Sequence, residues 1–452
     1  MKALYYTLNR LGEGVVWLKK WFLGLGLSLL LILTGCTSDS GKGDSSGKGS
    51  SDEKASIAIW HNFAGDDLRA RAVREMIAQF QEDNPDIKVD AQAIPVDGYR
   101  QRISTVAAAN ELPDVFLTFP GSFTEEFYKG ELIQPITSLF NDNPEWKASF
   151  LEGAIEPYVY DDGETYSAPV AMSATSFLYY NKQLFEENNL EVPQTWDDFI
   201  TVIKAFDDKG ITPLAMGNQA PWVAQSTTFG AIADRVTGSE WFMKAVKQDG
   251  ASFTDPIFIE ALNHFKELVD NGAYADGANS MDNTQGEQYF AQGKAAMMIN
   301  GSWTLSSLGG SVSEDVLANI GVTVVPFVED GKGKENTITG GPGGGYLLSS
   351  KTEGVNKEAA LKLIYALSNG DAQKKIAESS SMVMYDVEVD KDSVNSLFYE
   401  AFNLIREVEF APVYDLYLTA AAGEAVNNGL QEIMLGGDPK KVAESIQKAQ
   451  AQ

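Results

Sequence analysis

The residue types that usually carry chemistry are scarce in this chain or fall in an unsuitable pattern. His61 and His264 are the only histidines and Cys36 the only cysteine, far apart in sequence, which argues against a zinc site of the usual nitrogen and sulfur ligands. A GxSxG elbow, a Walker loop and a GxGxxG turn after a strand are all missing. Carboxylates number 63, so pairs suited to glycoside cleavage arise by chance at almost any sequence spacing and carry no weight. Asp161-Asp162-Gly163 could suggest calcium, but it lacks the alternating oxygen ligands and distal glutamate of an EF-hand loop and reads as a turn. Tyr179-Tyr180 could ligate iron, yet the Tyr-Tyr-Asn-Lys run is strand-like and directs one ring into the core and the other outward. What is left is recognition chemistry. Eight Trp and seventeen Tyr supply apolar ring faces, and abundant Asp and Asn supply planar hydrogen-bonding groups. Together they are the materials of a binding cleft.

The elements that must position these residues begin after a leader. Lys19 and Lys20 precede thirteen mainly apolar residues, Trp21 to Leu33, too short for a spanning helix of roughly 20 residues. This is the pattern of a secretory signal. Leu33-Thr34-Gly35-Cys36 resembles the lipobox of bacterial lipoproteins, which implies cleavage before Cys36 and lipid on its sulfur. Two or more acyl chains would hold the protein at a membrane face. The Ser, Gly, Asp and Lys run from Thr37 to Lys54 behaves as a flexible tether, and the folded part should begin near Ser56. The formal charge of −28 argues against nucleic acid and against an anionic membrane surface as partners.

Ile57 to Trp60 reads as a strand, Val73, Met76, Ile77 and Phe80 as a helix closed by Asn84-Pro85, Ile87 to Ala93 as a strand, Ile103 to Ala107 as a helix and Val115 to Phe119 as a strand. This βαβαβ order predicts a parallel sheet with ligands at its carboxyl ends, at Trp60-His61-Asn62-Phe63 and Thr118-Phe119-Pro120-Gly121. Tyr158 to Tyr166 reads as a hairpin. Thr195 and Asp198 form a capping box, and Asp255-Pro256 opens a helix to Asn271. Gly293 to Ile299 is a buried strand ending in Asn300-Gly301-Ser302-Trp303. Ile320 to Val325 is another strand, Thr339 to Tyr346 a Gly-rich passage, and the rest helical, including Val413 to Met434 and Pro439 to Ala449 behind Asp438.

The ordered landmarks Leu112-Pro113-Asp114-Val115, Ala168-Pro169-Val170, Tyr180-Asn181-Lys182, Pro193-x-Thr195-Trp196-Asp197-x-Phe199, Phe290-x-x-Gly293-Lys294-Ala295-Ala296-Met297-x-x-Asn300-Gly301-x-Trp303 and Gly436-Gly437-Asp438-Pro439 cover nearly the whole mature chain. In this order they resemble the solute-binding lipoproteins of carbohydrate ATP-binding cassette importers, the maltose-binding-protein-like family. The resemblance implies an α/β, two-lobed periplasmic-binding-protein fold with hinge strands and an interlobe ligand cleft. It divides the chain into a signal peptide (1–35), lipidated Cys36 with the tether (36–55), a first lobe (56–170 plus 338–385) and a second lobe (171–337 plus 386–452), with crossings near Ala171, Ile338 and Tyr385.

It also implies a non-catalytic receptor without cofactor or metal, monomeric, lipid-anchored to the outer face of the cell membrane, passing a mono- or oligosaccharide to a permease. The alternatives are a surface glycan hydrolase and a binding protein of the same fold for a non-sugar solute. The ligand contacts expected are Trp60, His61, Asn62, Phe63 and Asp66 after the first strand, Asp66 alternatively capping the next helix. Phe119 and Ser122 follow the third strand, Trp222 follows Asn218-Gln219-Ala220-Pro221, and Asn300 and Trp303 flank the Asn-Gly turn. Gly341 and Gly343 lie in the second crossing, with Tyr346, Tyr385 and Tyr414 further on. Met297 and Met298 are expected to be core.

Overall fold

The computed structural model describes residues 54–451. The signal, Cys36 and nearly all of the tether lie outside them. The described residues belong to one compact unit, Glu53–Gln452, and its first strand, β1 (Ala55–His61), opens one residue before Ser56. Alternate residues Ala55, Ile57, Ile59 and His61 point into the core, the period of a strand with one face buried. Helix α1 (Leu68–Asp83) buries Val73, Met76, Ile77 and Phe80 at the three- and four-residue spacing of one helical face. Its first turn is capped by the carboxylate of Asp67, which accepts from Ala70 N at 3.0 Å. At its end the Asn84 side chain donates to Phe80 O at 2.7 Å.

β2 (Ile87–Ala93) and β3 (Val115–Thr118) pair parallel to β1 on either side, with helix α2 (Val96–Ala108) between them in sequence. The predicted βαβαβ unit is present. The sheet does not stay parallel: β12 (Gly345–Ser349) lies antiparallel between β3 and β4 (Ile133–Gln134), and β5 (Ala168–Pro169) also pairs with β12. A strand arriving from the other lobe runs against the direction of the first unit, so its orientation depends on the crossing and not on its own residues.

The second lobe is built on a four-stranded sheet ordered β10 (Ile320–Val324), β7 (Phe177–Asn181), β9 (Ala295–Asn300), β8 (Thr212–Ala215). Both faces are covered. Phe177, Tyr179 and Met298 enter one apolar cluster, while Leu178, Tyr180 and Met297 pack on the other. Tyr179 and Tyr180 therefore point to opposite faces and cannot converge on one metal ion. Tyr179 donates its hydroxyl to Gly301 O at 3.0 Å.

Between the lobes runs a small sheet ordered β13 (Glu409–Ala411), β11 (Thr337–Pro342), β6 (Met172–Ala174), in which Gly340, Gly341 and Pro342 face Ala174, Ser173 and Met172 across an antiparallel pair. Residues 338–342 thus belong to this crossing sheet, and the first lobe's sheet receives the chain only at Gly345. A third crossing lies alongside: Met382 O accepts from Met172 N at 2.7 Å, and Met384 O accepts from Leu151 N at 3.1 Å. Buried Arg235 donates to Val325 O, Lys334 O and Thr337 O at 3.0, 3.0 and 2.7 Å, which fastens the segment after β10 to the start of β11. Hydrogen bonds made by a charged group contribute about 1.5–3 kcal/mol each.

Several local expectations change. Thr195 and Asp198 do form a capping box, and Asp438 caps the last helix. Asp255 is the residue before its helix, but its carboxylate accepts from Trp241 and Ser252 and leaves that helix without a side-chain cap. The span Val413 to Met434 is two helices, Tyr414–Tyr417 and Ala420–Met434, because Thr419 turns extended and caps the second through Ala422 N. The hairpin expected from Tyr158 to Tyr166 shrinks to one bridge between Val159 and Thr165 around Gly163, whose φ is 78°. Among the described residues no helix is long and apolar enough to cross a membrane.

Candidate functional site

The carboxyl ends of β1 and β3, the start of α1 and the start of helix α3 (Ser122–Lys129) face the second lobe. The contacts across the seam are specific. Arg69 N donates to Ser306 Oγ at 2.8 Å, and Ser306 Oγ donates in turn to Asp67 Oδ1 at 3.1 Å. Ser306 lies on the helix Trp303–Ser311, so Trp303, one turn earlier, lies on the same face. Gly310 of that helix packs against Asp66 O and Asp67 Cα, closely enough that a side chain would meet them at 3.1–3.2 Å. At another point of the seam, the exposed carboxylate of Asp97 on α2 lies 3.5 Å from Trp222 Nε1. Gly121, just before α3, sits under Leu416 of the helix Tyr414–Tyr417.

Trp222 and Trp303 meet edge to face, ring centroids 5.5 Å apart, and both stay half-buried. Their approach depends on the Asn300-Gly301 turn. A Cβ on Gly301 would lie 2.2 Å from the Trp303 ring, so only glycine lets the indole fold back over the turn. Trp303 Nε1 is shut off from solvent and has no hydrogen-bond partner; from the other lobe, Asn62 Oδ1 is in the same condition. An unpaired buried donor or acceptor costs about 1–3 kcal/mol, and the lobes present one of each. Gly341 is half-buried beside Leu416 Cδ1, where its missing side chain leaves the strand backbone close to the seam.

Other expected contacts are placed differently. His61 is 1 % exposed on the inward face of β1, with Nδ1 accepting from Phe63 N at 3.3 Å, and it is a core residue. Phe63 is buried beneath the Arg69 guanidinium, 5.0 Å from its ring centroid. Asp66 is exposed and pairs with Arg74 at 3.4 Å; the cap belongs to Asp67. Asn300 is 3 % exposed and its amide is used internally, donating to Asn283 Oδ1 at 3.1 Å and accepting from Gly301 N at 2.9 Å. Tyr346 is buried in the first lobe's core, and Tyr414 is stacked on Phe242 with centroids 4.1 Å apart in the second. Tyr385 packs edge-on to Phe150 at 5.0 Å. Gly343 is held in the crossing by its bond from N to Ala171 O at 2.8 Å. His61, Phe63, Asn300, Tyr346 and Tyr414 are thus interior residues; at a strand end such as His61, side chains alternate inward and outward and register decides which one turns out.

Trp60 is half-buried under Arg102, 5.0 Å from its ring. Phe119 carries Arg100 at 4.6 Å, and Ser122 opens α3 after Gly121. The sequence reading missed Arg69, Asp67, Asp97, Glu287 and Ser306. Glu287 is 1 % exposed and accepts from Asn283, Asn300, Thr304 and Ser307. Burial raises its pKa while those donors oppose the rise. No motif marks these positions; the pairing of α1 with the helix Trp303–Ser311 brings Asp67, Arg69 and Ser306 together, and Asp97 meets Trp222 elsewhere in the seam.

The pattern of the bacterial extracellular solute-binding proteins matches residues 66–374. The chain belongs to that family. It is 25 % identical over 390 residues to the multiple sugar-binding protein of Streptococcus mutans, covering 83 % of this chain and 86 % of that one. The sn-glycerol-3-phosphate-binding periplasmic protein of Rhizobium meliloti is 24 % identical over 75 % of this chain and 77 % of its own. A solved structure from work on xylan utilization by Caldanaerobius polysaccharolyticus superposes with a TM-score of 0.80 at 26 % identity, over 87 % of this chain and 99 % of that one. The two-lobed architecture and the seam between the lobes are those of a solute-binding protein.

His61 gives this solute-binding protein a measurable pH dependence. Burial, with Arg74 adding to it, pushes the imidazole down to about 4, so the ring is neutral in the folded state at neutral pH. An unfolded histidine titrates near 6.5. Below that the unfolded chain binds the extra proton, so this contribution is complete above about pH 6.5 and is lost as pH falls toward 4. The difference is worth about 3 kcal/mol. Urea unfolding at pH 7 and pH 4 should show wild type losing about that much more stability than His61→Gln. Parallel losses in the two proteins would refute the assignment.

Proposed function

We propose that the chain is the receptor of an ATP-binding cassette sugar importer, which captures a mono- or oligosaccharide between its lobes and passes it to the permease. The supporting observations are the edge-to-face Trp222–Trp303 pair, whose Trp303 Nε1 is closed off without a partner, and Asn62 Oδ1 in the same condition on the first lobe. A sugar hydroxyl both donates and accepts, and the C–H face of a pyranose lies against indole, so one ligand meets all three requirements. The similarity to the multiple sugar-binding protein and to the xylan-related structure favours the same class.

In this reading the protein is a non-catalytic, monomeric, cell-surface receptor without metal or cofactor, tethered through lipid on Cys36. Asn62, Trp60, Phe119, Ser122, Trp222, Trp303 and Gly341 form the ligand surface. The lobes move as 56–170 with 338–385 against 171–337 with 386–452, bending where β6, β11 and the third crossing lie side by side.

Calorimetric titration of the chain from Thr37 onward with glucose, galactose, xylose, maltose, cellobiose, xylobiose and chitobiose tests this. Saturable binding of a sugar with quenching or shift of tryptophan emission supports it. Tight binding of sn-glycerol 3-phosphate with indifference to every sugar would replace the substrate class. Glycan cleavage abolished by one carboxylate substitution would replace the receptor by an enzyme.

A further inference from the structure

We propose that Arg69 is a specificity-determining contact of the cleft, its guanidinium taking two neighbouring hydroxyl oxygens of an uncharged sugar; the inference rests on the sugar reading above. Arg69 is the second residue of α1, and its backbone N–H reaches Ser306 on the other lobe, so its side chain starts in the seam itself. The guanidinium lies over the Phe63 ring at 5.0 Å, a cation–π contact that restricts its plane. The residue as a whole is half-buried, and its Nε is closed to solvent and unpaired. Arg235 shows what a purely structural buried arginine looks like in this protein, with its nitrogens on three carbonyls and on the Thr337 hydroxyl. Arg69 makes no such bonds.

The surrounding charges say what kind of acceptor fits. Burial lowers the pKa of Arg69, and Asp67, Tyr346 and Glu287 oppose the fall; Asp67, two residues before it, and Glu287, on the other lobe, already supply acidic groups to this part of the seam. Glu287 is held by four donors of its own lobe and is not free to turn and pair with the guanidinium. A carboxylate or phosphate on the ligand would bring a further negative charge into this set. Neutral oxygens would not. The guanidinium fork presents parallel N–H groups at fixed spacing, which suits two oxygens on adjacent carbons.

The test is a cycle of titrations on the chain from Thr37 onward, using the panel sugar that binds best, its single-deoxy derivatives and the matching uronate, against wild type, Arg69→Met and Arg69→Lys. Thermal unfolding of each variant controls for folding. Arg69→Met is expected to weaken the parent sugar by roughly 10- to 100-fold, with Arg69→Lys recovering little because it keeps charge but not the fork. One or two adjacent deoxy derivatives should bind wild type and Arg69→Met about equally, and the uronate should bind wild type more weakly than the neutral sugar. Equal loss for every derivative, an unchanged affinity in Arg69→Met, or preference for the uronate overturns the inference while leaving the sugar reading in place. If no panel sugar binds well-folded wild type, the sugar reading fails first and this inference falls with it.

Discussion

Replacing Trp303 by alanine should lower sugar affinity by about 30- to 1,000-fold, the range of a central aromatic anchor whose loss costs about 2–4 kcal/mol. Three features of the site combine in this residue. Its ring packs with Trp222 at 5.5 Å, its Nε1 is buried without a partner, and its helix carries Ser306, which bonds the first lobe. Trp303→Phe separates the contributions. It keeps a ring and loses the N–H, so calorimetry should place it between wild type and alanine, about tenfold below wild type for one lost hydrogen bond to an uncharged acceptor. Wild-type affinity in Trp303→Ala would move the site away from this seam.

The second large effect is expected at a residue that touches no ligand. Gly121 has φ 85°, and a Cβ there would lie 2.4 Å from Leu416 Cα on the opposite lobe. Gly121→Ala therefore has two separable costs. The backbone strain, about 1–3 kcal/mol in a region that only glycine enters freely, is present whether the lobes are together or apart, so it lowers stability and leaves affinity alone. The overlap with Leu416 exists only when the lobes meet. A ligand can draw the lobes together only by its differential affinity for that state, so the overlap appears as weaker binding, on the order of 100-fold if it costs about 2.7 kcal/mol. Small-angle scattering with saturating sugar should show the variant remaining more extended than liganded wild type. A variant that is less stable but binds and compacts normally would show that this contact does not report on lobe closure.

Much of the architecture is legible from local pattern. The spacing of Val73, Met76, Ile77 and Phe80 specifies a buried helical face, and that helix is present with those residues inside. Thr195 and Asp198 specify a cap because hydroxyl and carboxylate at that spacing satisfy two orphan amides. The run Gly293 to Ile299 marks a buried strand ending at Asn300-Gly301, and it is present, whereas the folding of the Trp303 ring over Gly301 shows only in the structure. Less of the site could be read. His61, Phe63, Asn300, Tyr346 and Tyr414 have the right chemistry for a polar, aromatic ligand, but all five are buried in lobe interiors. Arg69 has no motif around it and acquires significance only beside Ser306 and Glu287, more than two hundred residues away.

From the order of apolar periods, caps and glycines alone, the chain is determined to be an α/β protein with a βαβαβ start, a buried strand leading to Trp303 and a Gly-rich return. Those features depend on residues within a few positions of one another, where hydrogen-bond geometry and side-chain period act directly. The antiparallel entry of β12, the crossing sheet that carries Gly340 to Pro342, the inward turn of His61 and the meeting of Arg69 with the second lobe were decided by tertiary structure. Each depends on which surfaces two distant segments bury against each other, and many pairings of similar apolar faces have comparable local energies. Only the whole chain, packed at once, selects among them.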